Sequence, residues 1–223
     1  MNLIKATPMA SRESLLRIAL WLALVTIGYN VAEGLISIYF GISDETLSLL
    51  GFGIDSLVEV ISGAGILHMV MKLRSSGDES KDAFERNALR ITGAAFMLLA
   101  AGLVAGAVLN IIAGSAPVTT VPGIIISSIS ILTMYFLMRY KLIIGRKLES
   151  DAIVADAMCT RTCFYLSIIL LASSLLYEFF RISYIDIAGS LGIAYFAVKE
   201  GIEAFQKAAG KNTCGCGDSC HTV

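Results

Sequence analysis

The chain has 223 residues, of which 56% are hydrophobic and only 16% charged, whereas a water-soluble domain runs at about 45–50% apolar and about 25% charged. A formal net charge of −1 conceals charges that are segregated along the sequence, and no basic, aromatic-interleaved patch offers a surface for nucleic acid. The composition therefore predicts an all-α membrane protein in contact with lipid, with little sequence left over for a separate soluble domain.

In chain order, the N-terminal MNLIKATPMASRES is a short polar lead. It has no small-residue cleavage pattern, so a removed signal peptide is not expected. Six apolar runs of spanning length follow, at about Leu15–Phe40, Leu47–Met71, Leu89–Ala113, Val121–Tyr140, Ile153–Tyr177 and Ile185–Phe205. A helix needs about 20 apolar residues to cross the hydrocarbon. Backbone satisfaction in lipid favours six helices over a barrel.

Of the 17 lysines and arginines, Arg161 falls inside span five and Arg181 outside. The rest cluster in the lead, the loop between spans two and three, the loop between spans four and five, and the tail. The positive-inside rule then places both termini in the cytoplasm. The outside loops GISDET, GSAPVTT and EFFRISY are short, and the cytoplasmic RSSGDESKDAFERN reads as a tether or a helix extension. Residues 1–14 form the cytoplasmic lead, 15–208 the six-helix membrane domain and 209–223 a flexible Cys/His-rich tail. Small residues recur along the spans, with Gly102 and Gly106 in a small-xxx-small register, a pattern of close helix packing.

Span two carries Asp55 and Glu59 inside its apolar run. Acids at membrane depth are costly and usually face a bundle interior or a water-filled path. Their spacing of four puts them on one helix face, ~6 Å apart along the axis. Span five carries Cys159 and Cys163 at the same spacing, with Asp156 one turn nearer the cytoplasm. If spans two and five are antiparallel neighbours, Asp55 is expected level with Cys163 and Glu59 with Cys159. Two carboxylates and two thiolates would then surround one cation near the membrane middle, a donor set that suits Zn²⁺ or a softer ion. Such a site holds protons when empty and releases them as metal binds. The competing reading is a structural polar cluster in which the acids pair with Arg161 or Asn30. Arg161, two positions from each cysteine, faces away from them.

The stretches LSLLGFGIDSLVEVISG and VADAMCTRTCF, together with DIAGSLGIAYFAVKEGIEAFQKA at the end of the last span, resemble the cation diffusion facilitator family of divalent-metal exporters over about residues 12–208. The resemblance implies six transmembrane helices and proton-coupled efflux of divalent metal. It implies that Asp55 and Glu59 stand at the ligand positions of helix two, and Cys159 and Cys163 at the usual His and Asp positions of helix five. The CxxxC departure moves the expected cargo toward Zn²⁺, Cd²⁺ or softer ions. The family's C-terminal cytoplasmic domain is expected to be missing, so the expected homodimer must rest on membrane helices. The resemblance implies a carrier in the cell's inner or plasma membrane. It also implies no permanent cofactor, the metal ion and protons being what it moves.

Other residues extend this reading. Cys214, Cys216, Cys220 and His221 crowd the tail. They read as a metal-capture or sensing segment, or as thiols that bind metal only adventitiously. Five cysteines, none in an outside loop, argue for thiols as ligands rather than a disulfide framework. Asn30 and Glu33 share a face of span one, where Glu33 serves the outward path or a proton relay, or bonds a neighbouring helix. Asp156 marks the cytoplasmic ingress. Asp44, Glu45 and Asp186 lie at the outside mouth, as solvated helix ends or as charges that attract leaving cations. His68, half a turn from the face of Glu59, reads as an interfacial residue, with a metal role as the alternative. Two other function classes stay open: a metal sensor or scaffold without transport, and a membrane thiol oxidoreductase. The CxxxC spacing does not match the CxxC redox motif. No nucleophile–base arrangement supports a hydrolase.

Overall fold

A computed structural model describes residues 9–44, 46–75, 81–114, 116–148 and 151–209. Six helices hold most of these residues: α1 (Met9–Ser43), α2 (Leu47–Ser75), α3 (Lys81–Ala113), α4 (Val121–Lys147), α5 (Asp151–Phe180) and α6 (Ser183–Ala208). The helices outrun the apolar windows. α1 starts at Met9 and so takes in the end of the expected lead, α3 takes in the polar residues after Lys81, and α4 continues past Tyr140 to Lys147. Charged residues outside the hydrocarbon are good helix formers and simply extend each rod. Arg146 and Lys147 in the last turn of α4 also suit the negative end of its dipole.

Glu13–Ser43, Leu47–Gly65, Arg90–Ala113, Val121–Lys147 and Asp156–Phe180 are long and apolar enough to cross a membrane. α6 has 26 residues but carries Asp186, Lys199, Glu200, Glu203 and Lys207. The outer surface matches a lipid solvent: Phe179 is 81% exposed, Ile112 77% and Trp21 64%. The interior holds polar and small side chains beside its apolar cluster, among them Asn30, Glu33, Asp55, Ser127, Lys141 and Ser167. An apolar exterior over a partly polar interior is that of an integral, multi-pass membrane protein, in which hydrogen bonds and close packing hold helices together.

The broadest contacts pair α1 with α2, α3 with α6 and α4 with α5. α2 lies at the centre, since it also touches α3, α5 and α6. α2 and α5 are therefore neighbours, as the ligand reading requires. Phe52, Leu99, Leu103, Leu166, Leu170 and Ile193 form the main apolar cluster, drawn from α2, α3, α5 and α6. Close approach depends on glycine at Gly41, where a Cβ would lie 2.6 Å from the Leu50 backbone nitrogen. Gly106 is also packed, against Leu47, whereas Gly102 meets nothing within 4 Å.

The helix ends opposite the basic segments are tied together. Val118 N–H donates to Asp44 O (2.9 Å), and Thr46 Oγ1 donates to Thr119 O (3.2 Å). Thr120 Oγ1 donates to Ser174 O (2.8 Å), and Tyr177 donates to Pro117 O. The strongest tie is Asp186, 1% exposed. Its carboxylate accepts from Leu47 N (2.9 Å), Ser48 N (3.2 Å) and the Ser48 hydroxyl. A helix start leaves such N–H groups without intrahelical partners, so α6 supplies the N-terminal cap of α2. Asp186 is thus a buried structural group, not a solvated mouth charge.

Candidate functional site

Asp55 stands eight residues and Glu59 twelve residues after the start of α2 at Leu47, so they lie about 12 Å and 18 Å into a core about 30 Å thick. Both face inward, where α2 meets α5 and α6. One cavity collects them: it is lined by Asp55 and Glu59 from α2, Thr92 and Phe96 from α3, Cys159, Thr162, Cys163 and Leu166 from α5, and Phe196, Ala197, Glu200 and Ala204 from α6. The spacings on each helix are those of a single face. The cavity volume is about 40 Å³, against the roughly 10–15 Å³ that one water needs. It has room for an ion with a water or two and for little more.

The four expected ligands therefore share one chamber. Asp55 is 2% exposed, and its Oδ1 has no hydrogen-bond partner among the described residues. The Oδ1 of Asn30, 0% exposed, is likewise without one. Buried oxygens left open are rare and call for a water or an ion. Glu59 accepts from Asn30 Nδ2 (2.9 Å) and from the Cys163 thiol. The Cys163 sulfur also lies 3.3 Å from the Cys159 carbonyl. Among the described residues, no three Cys, His, Asp or Glu side chains converge closely enough to coordinate one ion together.

The register between α2 and α5 differs from the sequence expectation. Cys163 meets Glu59, not Asp55. The offset is about one turn and is set by how the two rods slide in packing, which neither motif encodes.

The flanking residues divide. Asn30 is built into the site through Glu59. Glu33 accepts from Tyr29 (2.8 Å) and from Ser56 Oγ (3.1 Å) on α2, so it bonds a neighbouring helix. Asp156 does not line the cavity. It is 8% exposed and lies 2.7 Å from Lys141 Nζ, itself 2% exposed. Lys141 also donates to Thr160 Oγ1 (3.0 Å). The lysine, read from the sequence as a cytoplasmic loop charge, is inside α4. His68 is exposed and Arg161 half-buried, and neither lines the cavity. Cys214, Cys216, Cys220 and His221, like Glu45, lie outside the described residues.

Glu200 is the acidic cavity residue that the sequence reading passed over. It accepts from Thr162 Oγ1 at 2.7 Å. Its signal was an acid four residues after Phe196 on the apolar face of α6, masked by the adjacent Lys199 and by Glu203.

Comparison with known proteins agrees with this architecture. Over 175 residues the chain is 30% identical to an uncharacterized transporter of Methanocaldococcus jannaschii, covering 76% of this chain and 61% of the relative. The chain thus spans somewhat under two thirds of that protein's length. Residues 20–210 match the family model of the cation efflux transmembrane domain, and six packed helices, most of them apolar enough to span, sit around a buried acidic chamber. The chain belongs to the cation efflux family of membrane transporters.

Proposed function

We propose that the protein exports divalent transition or soft heavy-metal cations in exchange for protons, with Asp55, Glu59, Cys159 and Cys163 as the transport ligands. The observation that carries this reading is that all four side chains line one small cavity at membrane depth, with an Asp55 oxygen left open. Carboxylate oxygen with thiolate sulfur favours Zn²⁺, Cd²⁺ or softer ions over Mg²⁺ and Ca²⁺. The Cys163 thiol on Glu59 supplies the exchangeable proton: a cation that binds the thiolate must displace it. Membership of a cation efflux family supports transport itself, while the cargo and the proton coupling rest on the donor set.

The cavity is lined at one end by Thr92, Cys159 and Ala204 and at the other by Phe96, Leu166 and Phe196. The first set lies toward the basic helix ends, which the positive-inside rule assigns to the cytoplasm. Beyond the second set lie the apolar cluster and the Asp186 tie. On our proposal metal enters from the cytoplasmic side. Release outward would require rocking of the helices about the midplane. We further propose a homodimer in the lipid bilayer, with the metal ion as cargo rather than as a resident cofactor.

The test is metal uptake into inside-out proteoliposomes with an acidic lumen, using Zn²⁺, Cd²⁺ and Hg²⁺. Gradient-driven uptake that is lost in Cys159→Ser/Cys163→Ser is the expected result. Metal binding without flux of any ion would make the protein a sensor or scaffold. Flux that survives the double substitution would remove the cysteines from the site.

A further inference from the structure

One deeply buried acid takes no part in the proposed ligand set. Glu33 of α1 is 5% exposed and does not line the cation cavity. It stands about 15 Å from the outer end of α1, level with Ser56, about 14 Å from the start of α2. Its partners are hydroxyls: Tyr29 (2.8 Å), Ser56 (3.1 Å) and Ser130 of α4. None of the three is a proposed metal ligand. Among the described residues, no lysine, arginine or histidine pairs with Glu33. The ionisable groups around it are Tyr29 on its own helix and, from α2, Asp55 and Glu59, both within electrostatic reach. From α4, which also packs on α1, Ser130 faces it, while Lys141 is held by Asp156. Cys163 of α5 bonds Glu59. An ionised carboxylate sealed from water without a cation is costly, and such a group is held neutral instead.

We propose that Glu33 is a proton-binding residue coupled to the cation cavity: it holds a proton while the cavity is empty and gives it up when a divalent cation binds at Asp55 and Glu59. The inference rests on the transport reading and deepens it by adding a proton carrier that is not a metal ligand. The hydrogen bonds carry it, because they suit both forms of the acid. Ser56 Oγ lies 3.1 Å from Glu33 Oε2 and also 3.1 Å from the Phe52 carbonyl. A hydroxyl has one hydrogen and two lone pairs. With Glu33 ionised, Ser56 donates to the carboxylate. With Glu33 neutral, the acid donates to Ser56, which turns its hydrogen to Phe52 O. Ser167 has a similar choice, between Ser130 Oγ (2.8 Å) and the Cys163 carbonyl (2.8 Å), so Ser130 can give its own hydrogen to Glu33 or to Ser167. Hydroxyl rotation alone thus converts one form to the other. Charge supplies the coupling. A dication at Asp55 and Glu59 stabilises a negative charge on Glu33 across a low-dielectric interior. The Glu33 O–H bond then breaks, the electron pair stays on the carboxylate and the proton leaves to solvent. When the cation departs, a proton returns.

The deciding experiment counts the protons released as Cd²⁺ binds to the purified full chain in weakly buffered detergent solution, comparing wild type with Glu33→Gln. Glutamine copies the neutral acid: its oxygen accepts from Tyr29 and its amide donates to Ser56. Glu33→Gln should bind Cd²⁺ at wild-type stoichiometry and release about one proton fewer per ion. Its affinity should therefore rise less steeply with pH, by about tenfold per pH unit. Equal proton release from the two proteins would overturn the proposal. A second readout keeps the acid in place. Infrared difference spectra of the wild type should lose carboxylic-acid C=O absorption when Cd²⁺ is added, and Tyr29→Phe should shift the lost band by removing one hydrogen bond. A difference spectrum unmoved by Tyr29→Phe would likewise overturn it. Absence of flux in wild-type vesicles with Cd²⁺ still bound would sink the transport reading alone, whereas a wild-type chain that binds no Cd²⁺ would overturn both.

Discussion

Lys141 of α4 and Asp156 of α5 form a buried ion pair 2.7 Å long, one turn from Cys159 yet not part of the lining of the acidic cavity. Asp156 is therefore occupied by a cation of the protein's own. Its spacing before the cysteines, which suggested an ingress ligand, instead fastens α4 to α5.

Breaking this pair from one side should be severe. Lys141→Met strands a carboxylate in a low-dielectric interior, a loss of about 3–5 kcal/mol. The double variant Lys141→Met/Asp156→Asn should recover most of it, because the uncompensated charge is gone. Thermal unfolding of the two variants in detergent measures both effects. A double variant no more stable than the single one would show that the pair has no such coupling.

Asp186→Ala leaves Leu47 N–H, Ser48 N–H and the Ser48 hydroxyl without their acceptor. Each buried donor left open costs about 1–3 kcal/mol. Amide hydrogen exchange should rise selectively over the first turn of α2, and Asp186→Asn, which keeps one acceptor oxygen, should lie between alanine and wild type. Unchanged protection at Leu47 and Ser48 would refute the cap.

Asn30→Ala removes the 2.9 Å hydrogen bond to Glu59. A residue that orients a metal-binding carboxylate typically matters about 10–100-fold in metal affinity. Cd²⁺ titration should show a fall within that range, with the folded state otherwise intact. An unaltered titration would make the bond incidental.

Two glycines of α1 should respond oppositely to alanine. At Gly41 the new methyl would meet Leu50 backbone atoms at 2.6 and 2.7 Å, which cannot swing aside, and overpacking of this kind costs about 1–3 kcal/mol. At Gly28 nothing lies within 4 Å, so Gly28→Ala should gain about 0.5–1 kcal/mol of helix stability. Paired melting curves test the contrast, and a Gly41→Ala protein as stable as wild type would exclude the close α1–α2 approach.

The chamber was legible in the sequence because acids inside an apolar run are conspicuous and because a spacing of four fixes a helix face. Asp55, Glu59, Cys159 and Cys163 needed nothing more. Their register was not legible, since the slide between two packed helices depends on side-chain fit along their whole length. That is why Cys163 meets Glu59. Lys141 was hidden by the charge count that oriented the chain, which treats every lysine as a loop residue. Glu200 was hidden by its charged neighbours near a helix end. Asp186 was hidden because two of its three partners are backbone N–H groups, which no composition reveals.

The apolar exterior, with Phe179, Ile112 and Trp21 turned outward, bears on how the fold responds to temperature. In a soluble domain unfolding wets the apolar core, and the resulting rise in heat capacity bends the stability curve so that cold weakens it. Here the apolar groups already face the solvent, which is hydrocarbon, and helices that separate within the bilayer exchange neighbouring side chains for acyl chains without meeting water. Separation of the helices should then carry little heat-capacity change, and stability within the bilayer should vary almost linearly with temperature, with no cold-side decline.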